Sequence, residues 1–161
     1  MSDRVIFLDY DGVVNTPMWN DKGTHCGYNF PNHNKVNNFQ AVQWISEFCK
    51  NYNYDIVVTS TWRFDDNYKE CLINGGLREG IKILGRTPVL SNRVSDGYTR
   101  GDEIAAYLKD NPEIKHYIII DDEEDFLPEQ QEFFVHTNGD YGFGMHDMFE
   151  CQKIHIKHVE L

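Results

Sequence analysis

Five short apolar runs, separated by segments of helical periodicity, constrain the fold of this chain more than any other sequence feature. The runs are Val5–Leu8, Asp55–Ser60, Ile81–Leu84, His116–Asp122 and Glu132–Thr137. Strands that are apolar on both faces occur almost only in parallel sheets with helices packed on each side. We therefore predict an α/β fold, a three-layer sandwich with a central parallel sheet of the Rossmann type.

The segments between these runs predict helices and one irregular region. The predicted helices are Lys35–Lys50, Trp62–Asn74, Thr99–Asn111 and His146–Cys151. The alternation of apolar and polar residues over Lys153–Val159 predicts a last strand. Residues 16–34 are rich in Asn, Gly and His, and they predict a small flap in place of a large cap. We expect residues 1–161 to form a single domain, because this length buries a sizeable core.

The chain is acidic, with Lys+Arg 15 against Asp+Glu 26 and a formal net charge of −11 at pH 7. Charge of this sign repels nucleic acid and anionic membranes at long range, although a bound cation or a local basic patch can reverse it. No apolar run approaches the ~20 residues of a membrane span. The 4 cysteines contain no Cys-x-x-Cys pair, which indicates reduced thiols. We therefore expect a cytoplasmic protein without a membrane partner.

Polar side chains follow the predicted strands at the points where these strands end. Asp9 and Asp11 follow the first run, Thr59 and Ser60 end the second, and the pair Asp121 and Asp122 ends the fourth. Arg100 opens a predicted helix. Because ligands of open α/β sheets bind at the carboxyl ends of the strands, we expect these side chains to lie together.

This set of side chains suits phosphoryl transfer through a covalent aspartyl-phosphate. Asp9 would attack the phosphorus, and Asp11 would protonate the leaving group and later deprotonate water. Thr59 or Ser60 would donate a hydrogen bond to the phosphate, and Arg100 would neutralise its charge. Carboxylates at these positions predict Mg²⁺ as the cofactor, with four candidate ligands: Asp9, Asp11, Asp121 and Asp122.

The order of these motifs is similar to that of the haloacid dehalogenase (HAD) superfamily of phosphohydrolases. The match comprises Asp-x-Asp-Gly-Val from Asp9, a strand ending in Thr/Ser, a basic residue, and a strand ending in Asp-Asp. An acid at the position of Asp11 is typical of the phosphatases, whereas the dehalogenases lack it. The resemblance implies a phosphate monoester hydrolase, and it adds Gly12 to the substrate-binding residues.

The stretch "TSTWR", Thr59–Arg63, further resembles HAD domains of polynucleotide-end phosphatases and RNA-repair proteins. That resemblance implies that Ser60 and Arg63 bind substrate phosphate, and that the substrate is a nucleotide or a nucleic-acid end. Two aromatic residues of the flap, Trp19 and Tyr28, are candidates for stacking on a base, and Lys22 and Lys35 are candidate phosphate contacts.

Several alternatives remain open at this point. The third-motif cation is more often Lys in the superfamily, which leaves Arg86, Arg93 or Lys109 as substitutes for Arg100, and Asp125 is a further possible metal ligand. The same residue types also occur in phospho-acceptor signalling domains, although there the acidic pair follows the first strand and the acceptor lies on a middle strand. A catalytically silent binding module of the HAD type is the third alternative.

Overall fold

A computed structural model describes residues 3–17, 34–90 and 97–161, and these residues form an α/β fold around one sheet. The five strands run parallel in the order β3-β2-β1-β4-β5. Their bounds are Arg4–Leu8 (β1), Asp55–Val58 (β2), Ile83–Arg86 (β3), His116–Asp121 (β4) and Phe134–His136 (β5). The α/β class and the central parallel sheet predicted from the sequence are confirmed. No helix in the three described segments combines the length and apolarity that crossing a bilayer requires.

Four α-helices cover the two faces of the sheet, and their bounds are Phe39–Tyr52 (α1), Tyr68–Asn74 (α2), Arg100–Asp110 (α3) and Met145–His155 (α4). Successive residues of a strand point to opposite faces, so the apolar strands contribute to two cores. Ile6 and Leu8 of β1 pack with α1, α2 and α4. Val5 and Phe7 pack with Ile104 of α3 on the other face. This double burial explains why the strands are apolar without alternation.

The strand order creates a crevice beside β1, the central strand. The chain moves outward from β1 to β2 and β3, and it then returns to the other side of β1 to form β4 and β5. The connections therefore diverge between β1 and β4, and such a switch point is where open α/β sheets bind ligands. Asp9 follows β1 and Asp121 ends β4, so both side chains lie at this crevice.

Helix α3 begins at a well-defined cap, which determines where Arg100 lies. The Thr99 hydroxyl accepts a hydrogen bond from the Asp102 amide, and the Asp102 carboxylate accepts one from the Thr99 amide. This reciprocal pair satisfies two amides that the helix leaves without a partner. Arg100 is thereby held in the first turn, at the edge of the sheet where the crevice opens.

The prediction of a last strand over Lys153–Val159 is wrong. Helix α4 continues to His155, and a π-helical turn, Ile156–Glu160, follows it. Met148, Cys151 and His155 are buried together with Asp147, and the spacing of three and four from Met148 to His155 is helical. The alternation of Ile and His resembled a strand because seven residues are too few to distinguish the strand period of about two residues from the helical period of about 3.6.

The predicted helix Trp62–Asn74 is two elements in the structure. Thr61–Phe64 forms a 3₁₀ turn, the chain is extended at Asp65, and α2 begins only at Tyr68. Phe64 was predicted to pack on the core face of one continuous helix, but its side chain is exposed. Strand β3 begins two residues later than predicted. Most of the predicted flap, residues 18–33, lies outside the described residues.

Candidate active site

The centre of the site is a pair of buried carboxylates that share one arginine. Nη1 of Arg100 lies 2.8 Å from Oδ1 of Asp9 and 2.9 Å from Oδ2 of Asp121. The strand ends place both carboxylates, because the Asp9 amide donates to the Ile120 carbonyl and extends the β1–β4 ladder by one residue. A single cation thus faces two carboxylates at the switch point of the sheet.

Burial and mutual repulsion perturb the protonation of this pair. Burial raises the pKa of Asp9, although the Arg100 charge opposes this effect. Burial and then the charge of Asp9 raise the pKa of Asp121 to about 9. Burial alone would lower the pKa of Arg100, but the charges of the two carboxylates raise it above its ordinary value. Because its pKa lies at about 9, Asp121 retains a proton at neutral pH unless a further cation balances the second buried charge.

Asp122 is the third carboxylate of the cluster, and two glycines allow its approach. A Cβ on Gly12 would lie 2.2 Å from Oδ2 of Asp122, and a Cβ on Gly139 would lie 2.9 Å from the same atom. Gly12 also has a φ of +80°, a conformation that L side chains rarely adopt. A larger residue at position 12 would therefore displace the carboxylate.

Gly12 was predicted to bind substrate, but the structure gives it a different role. Its amide donates to the Asn15 carbonyl at 2.7 Å, and its carbonyl accepts from the Thr137 hydroxyl at 2.9 Å. Both of its backbone groups are thus engaged within the protein. Its contribution is to leave space for Asp122 and to turn the chain after Asp11.

Asp11 lies beside the carboxylate cluster and is held by two side chains. Its Oδ1 accepts hydrogen bonds from Asn15 Nδ2 at 2.9 Å and from Trp62 Nε1 at 3.2 Å. It does not belong to the group of metal-competent carboxylates among the described residues, so its predicted role as a metal ligand is not supported. Trp62 reaches the site from the 3₁₀ turn after β2, and its ring also packs against the core beside Tyr10.

Thr59 and Ser60 end β2, and the structure distinguishes between their hydroxyls. Ser60 Oγ accepts the Trp62 amide and thereby caps the 3₁₀ turn. The Thr59 hydroxyl is buried, and within the described part of the chain it has no hydrogen-bond partner. Leaving a buried hydroxyl without a hydrogen-bond partner costs about 1–3 kcal/mol of stability. Of the two hydroxyls, that of Thr59 is therefore the one that a ligand could satisfy.

Arg63 was predicted to contact substrate phosphate, but its guanidinium is buried within the protein. Nε donates to the Thr87 carbonyl, Nη1 donates to the carbonyls of Thr59 and Ser60, and Nη2 pairs with Glu103 at 2.9 Å. Four of the five N–H donors of an arginine are therefore used. Arg63 holds the loop that carries Thr59 and Ser60, and it is not free to bind phosphate.

Among the described residues, the alternative cations Arg86 and Lys109 form no ion pair with Asp9 or Asp121. Arg86 donates to the Arg63 carbonyl at 2.6 Å and stacks on the ring of Tyr68. Lys109 lies near the far end of α3 and is exposed. Arg93 lies outside the described residues. Of the described candidates, Arg100 is thus the cation that contacts both carboxylates.

The remaining candidates from the sequence are Asp125 and the residues in or next to the predicted flap. Asp125 accepts the amide of Arg100 at 3.3 Å and is not among the metal-competent carboxylates of the described residues. Lys35 is exposed and precedes α1. The predictions for Trp19, Lys22 and Tyr28 lie outside the described residues.

The residues present fit a magnesium ion. Asp9, Asp121 and Asp122 each offer a carboxylate oxygen, and these oxygens lie within 4.8 Å of one another. Mg²⁺ binds oxygen ligands at about 2.0–2.1 Å, so two ligands on opposite sides of the ion lie about 4.2 Å apart. The limit of 4.8 Å exceeds this separation by about 0.6 Å, so small shifts of the carboxylate oxygens would bring all three within range. A bound cation would balance the charge that Asp121 gains when it loses its proton.

The sequence interpretation missed three residues that shape the site: Trp62, Asn15 and Thr87. Trp62 follows the Thr/Ser motif by two residues, and its indole N–H was the available signal, because a tryptophan in a turn commonly donates to a nearby acceptor. Asn15 precedes the flap by one residue, and its amide supports Asp11. Thr87 follows β3, and its buried hydroxyl has no partner among the described residues. No sequence pattern marked it.

Comparison with protein-family models places this site in a known context. The family described as the HAD domain in Swiss Army Knife RNA repair proteins matches residues 5–148. The matched range contains every motif from Asp9 to Asp122 and all five strands. No curated protein and no solved structure matches the chain. On the strength of the family match, the chain belongs to the HAD domains of Swiss Army Knife RNA repair proteins.

Proposed function

We propose that this protein is a Mg²⁺-dependent phosphatase that hydrolyses a phosphate monoester through an aspartyl-phosphate on Asp9. One observation carries the proposal: Asp9 and Asp121 share Arg100 and lie with Asp122, while a second acid, Asp11, is held just outside this group. A nucleophile, a candidate metal site and a separate acid are the three parts that this reaction requires.

The two aspartates of the first motif would act in sequence. A carboxylate oxygen of Asp9 attacks phosphorus while the bond to the leaving oxygen breaks, and Asp11 donates its proton to that oxygen. Asp11 then accepts a proton from a water molecule that attacks the phosphorus, and the bond to Asp9 breaks to release phosphate. Bound Mg²⁺, held by Asp9, Asp121 and Asp122, would neutralise charge on the carboxylates and the phosphate.

Two further residues would bind the phosphate. The Thr59 hydroxyl is buried at the end of β2 and lacks a partner, so a phosphate oxygen would satisfy it. Arg100 pairs with Asp9, so it would hold Asp9 in place, and its charge would attract the phosphate. Trp62 and Asn15 would orient Asp11 without touching the substrate.

The family context supports a phosphorylated nucleic-acid end or nucleotide as the substrate class. The matching family is described by its occurrence in RNA repair proteins. The net charge of −11 disfavours binding of a polyanion at long range, so contacts close to the site must supply the affinity. A substrate of this class is thus expected to bind through its terminal residues rather than along a long basic surface.

The experiment that tests this proposal measures hydrolysis of a generic aryl phosphate by three purified proteins. Wild type should be active with Mg²⁺ and inactive with EDTA, and Asp9→Asn should be inactive while retaining the wild-type fold by circular dichroism. Asp3→Asn is the matched control, because Asp3 precedes β1 and so lies at the amino-terminal ends of the strands, opposite the candidate site. Asp9→Asn with wild-type activity would overturn the nucleophile assignment.

The same protein samples separate the alternatives. A phospho-acceptor domain would form a stable phosphorylated Asp9 from a small phosphodonor without releasing phosphate repeatedly. A catalytically silent module would bind Mg²⁺ or a phosphorylated ligand with no phosphorylated protein and no phosphate release. Repeated turnover by the wild-type protein excludes both alternatives.

A further inference from the structure

Two neighbouring cavities lie beside the candidate active site. A cavity of about 290 Å³ is bordered by Arg100 at one end and by Phe64, Val89 and Tyr98 along its walls. A cavity of about 590 Å³ shares Phe64 and Val89 with the first and extends to Arg86 and Tyr107. Both cavities border Phe64 and Val89, and we call the surface that they form together the β3 groove, which extends from Arg100 to Arg86 on the edge strand β3.

Exposed aromatic rings at the start of the β3 groove suit a planar ligand. The side chains of Phe64 and Tyr98 are 58% and 57% exposed, although they lie next to a buried catalytic centre. The guanidinium of Arg63 lies over the Phe64 ring, 5.1 Å from its centroid, and Arg63 is itself immobilised by its buried hydrogen bonds. A ring held in this way loses little conformational entropy when a base stacks on it.

The charged groups of the first cavity favour the neutral part of a nucleotide. Glu103 and Asp125 contribute to its wall, and because Glu103 is paired with Arg63, Asp125 is the carboxylate that would repel a phosphate there. A ribose hydroxyl or an exocyclic amine can instead donate hydrogen bonds to such carboxylates. The phosphate of the same nucleotide would then lie beyond Arg100, towards Asp9.

The second cavity offers groups suited to a phosphate. Arg86 keeps a side chain that is 43% exposed, and it contributes to the cavity wall. Thr87 borders the same cavity, and its hydroxyl is buried without a hydrogen-bond partner among the described residues. Asp110 borders the cavity too, so its negative charge would disfavour a further phosphate.

We infer that the β3 groove binds the last two nucleotides of a single strand, with the terminal base on Phe64 and Tyr98 and the next phosphate at Arg86. The inference deepens the proposed function and rests on it for the direction of the terminal phosphate. A base in the first cavity would place its nucleotide next to Arg100, and a second nucleotide would reach Arg86 and Thr87. A third nucleotide would add no binding energy, because it would lie beyond the two cavities.

A binding measurement tests the β3 groove without requiring turnover. Short oligonucleotides with a terminal phosphate and 2-aminopurine as the terminal base are titrated with the protein in Mg²⁺, using 5′- and 3′-phosphorylated versions. Wild type should quench the fluorescence of one version by stacking, and Phe64→Ala should weaken binding ~10-fold, within the range for loss of one base–aromatic stack. Phe149→Ala is the matched control, because Phe149 is 50% exposed on α4, away from the groove.

A kinetic series then tests the number of nucleotides that the groove holds. The value of kcat/KM should rise from ethyl phosphate to a mononucleotide and again to a dinucleotide, and it should then stay constant for longer strands. Arg86→Gln should remove the gain from the second nucleotide. Arg78→Gln should not, and its side chain is as exposed as that of Arg86, at 43%.

Different results would overturn the two proposals. Absence of fluorescence quenching, or equal effects of Phe64→Ala and Phe149→Ala, would overturn the β3 groove even if every ester is hydrolysed. Quenching that depends on Phe64, in a protein that hydrolyses no ester, would support the groove and contradict the phosphatase. A phosphotyrosine peptide that competes as well as the dinucleotide would overturn the choice of a nucleic-acid ligand.

Discussion

Replacing Asp121 by Asn is expected to stabilise the metal-free protein while removing its response to Mg²⁺. Asp121 and Asp9 are both buried and share the single guanidinium of Arg100, so ionising both carboxylates leaves one negative charge unbalanced. The variant keeps the pair between Asp9 and Arg100 and has no second carboxyl group that must stay protonated. The protein would then be more stable with the neutral isostere at position 121 than with aspartate, which is typical of sites selected for chemistry.

The magnitude follows from the pKa of Asp121, which is raised from 3.8 to about 9 in the folded protein. Because the folded pKa is the higher one, stability is greatest at acidic pH and is lost as the pH rises from 3.8 towards 9. At about 1.4 kcal/mol per pH unit, the loss accumulated by pH 7 is on the order of 4 kcal/mol. The Asp121→Asn variant has no such pH-dependent loss, but it still buries a polar amide. We therefore expect its free energy of unfolding at pH 7 to exceed that of wild type by about 2–4 kcal/mol.

Thermal unfolding at pH 7.5 and pH 5, in EDTA and in Mg²⁺, measures these effects. In EDTA, Asp121→Asn should melt several degrees above wild type at pH 7.5, since about 2–4 °C corresponds to 1 kcal/mol at this chain length, and the difference should shrink at pH 5. Mg²⁺ should raise the melting temperature of wild type and barely affect the variant. A variant that is less stable than wild type in EDTA at pH 7.5 would refute this reasoning.

Three other substitutions test how the site is supported. Trp62→Phe removes the hydrogen bond to Asp11, and kcat should fall ~10-fold, most strongly for esters with poor leaving groups; an equal fall for good leaving groups would contradict a role through the general acid. Thr59→Val should lower kcat/KM without lowering the melting temperature, because it removes a buried hydroxyl that lacks a partner; a large loss of stability would show that the hydroxyl is satisfied. Arg63→Gln should lower the free energy of unfolding in urea by about 3–5 kcal/mol, because it leaves Glu103 unpaired; unchanged stability with weaker oligonucleotide binding would restore Arg63 as a substrate contact.

The positions of the candidate catalytic side chains could be predicted because backbone topology alone determines them. Parallel strands end at one edge of the sheet, so Asp9, Thr59 and Asp121 had to converge once the apolar runs were interpreted as strands. Arg100 could be placed because Thr99 and Asp102 form a recognisable capping box. These inferences need only local sequence patterns and the direction of the strands.

The orientations of several side chains could not be predicted, because they depend on partners far away in sequence. Arg63 is buried because it pairs with Glu103, forty positions later, and with the carbonyl of Thr87. Asp11 is not part of the metal-competent group, and its carboxylate accepts a hydrogen bond from Trp62, fifty-one positions later. A motif identifies the residue types at such positions but not the partners that compete for them.

Phosphoryl transfer to Asp9 is the central claim, and trapping the phosphorylated protein tests it most directly. Wild type, Asp9→Asn and Asp11→Asn are mixed with an aryl phosphate and Mg²⁺, quenched in acid within the first turnover, digested, and mapped by mass spectrometry. We predict one added phosphoryl group on the peptide that contains Asp9, more of it in Asp11→Asn than in wild type, and none in Asp9→Asn. A phosphoryl group on another residue, or phosphate release by Asp9→Asn at the wild-type rate, would contradict the mechanism.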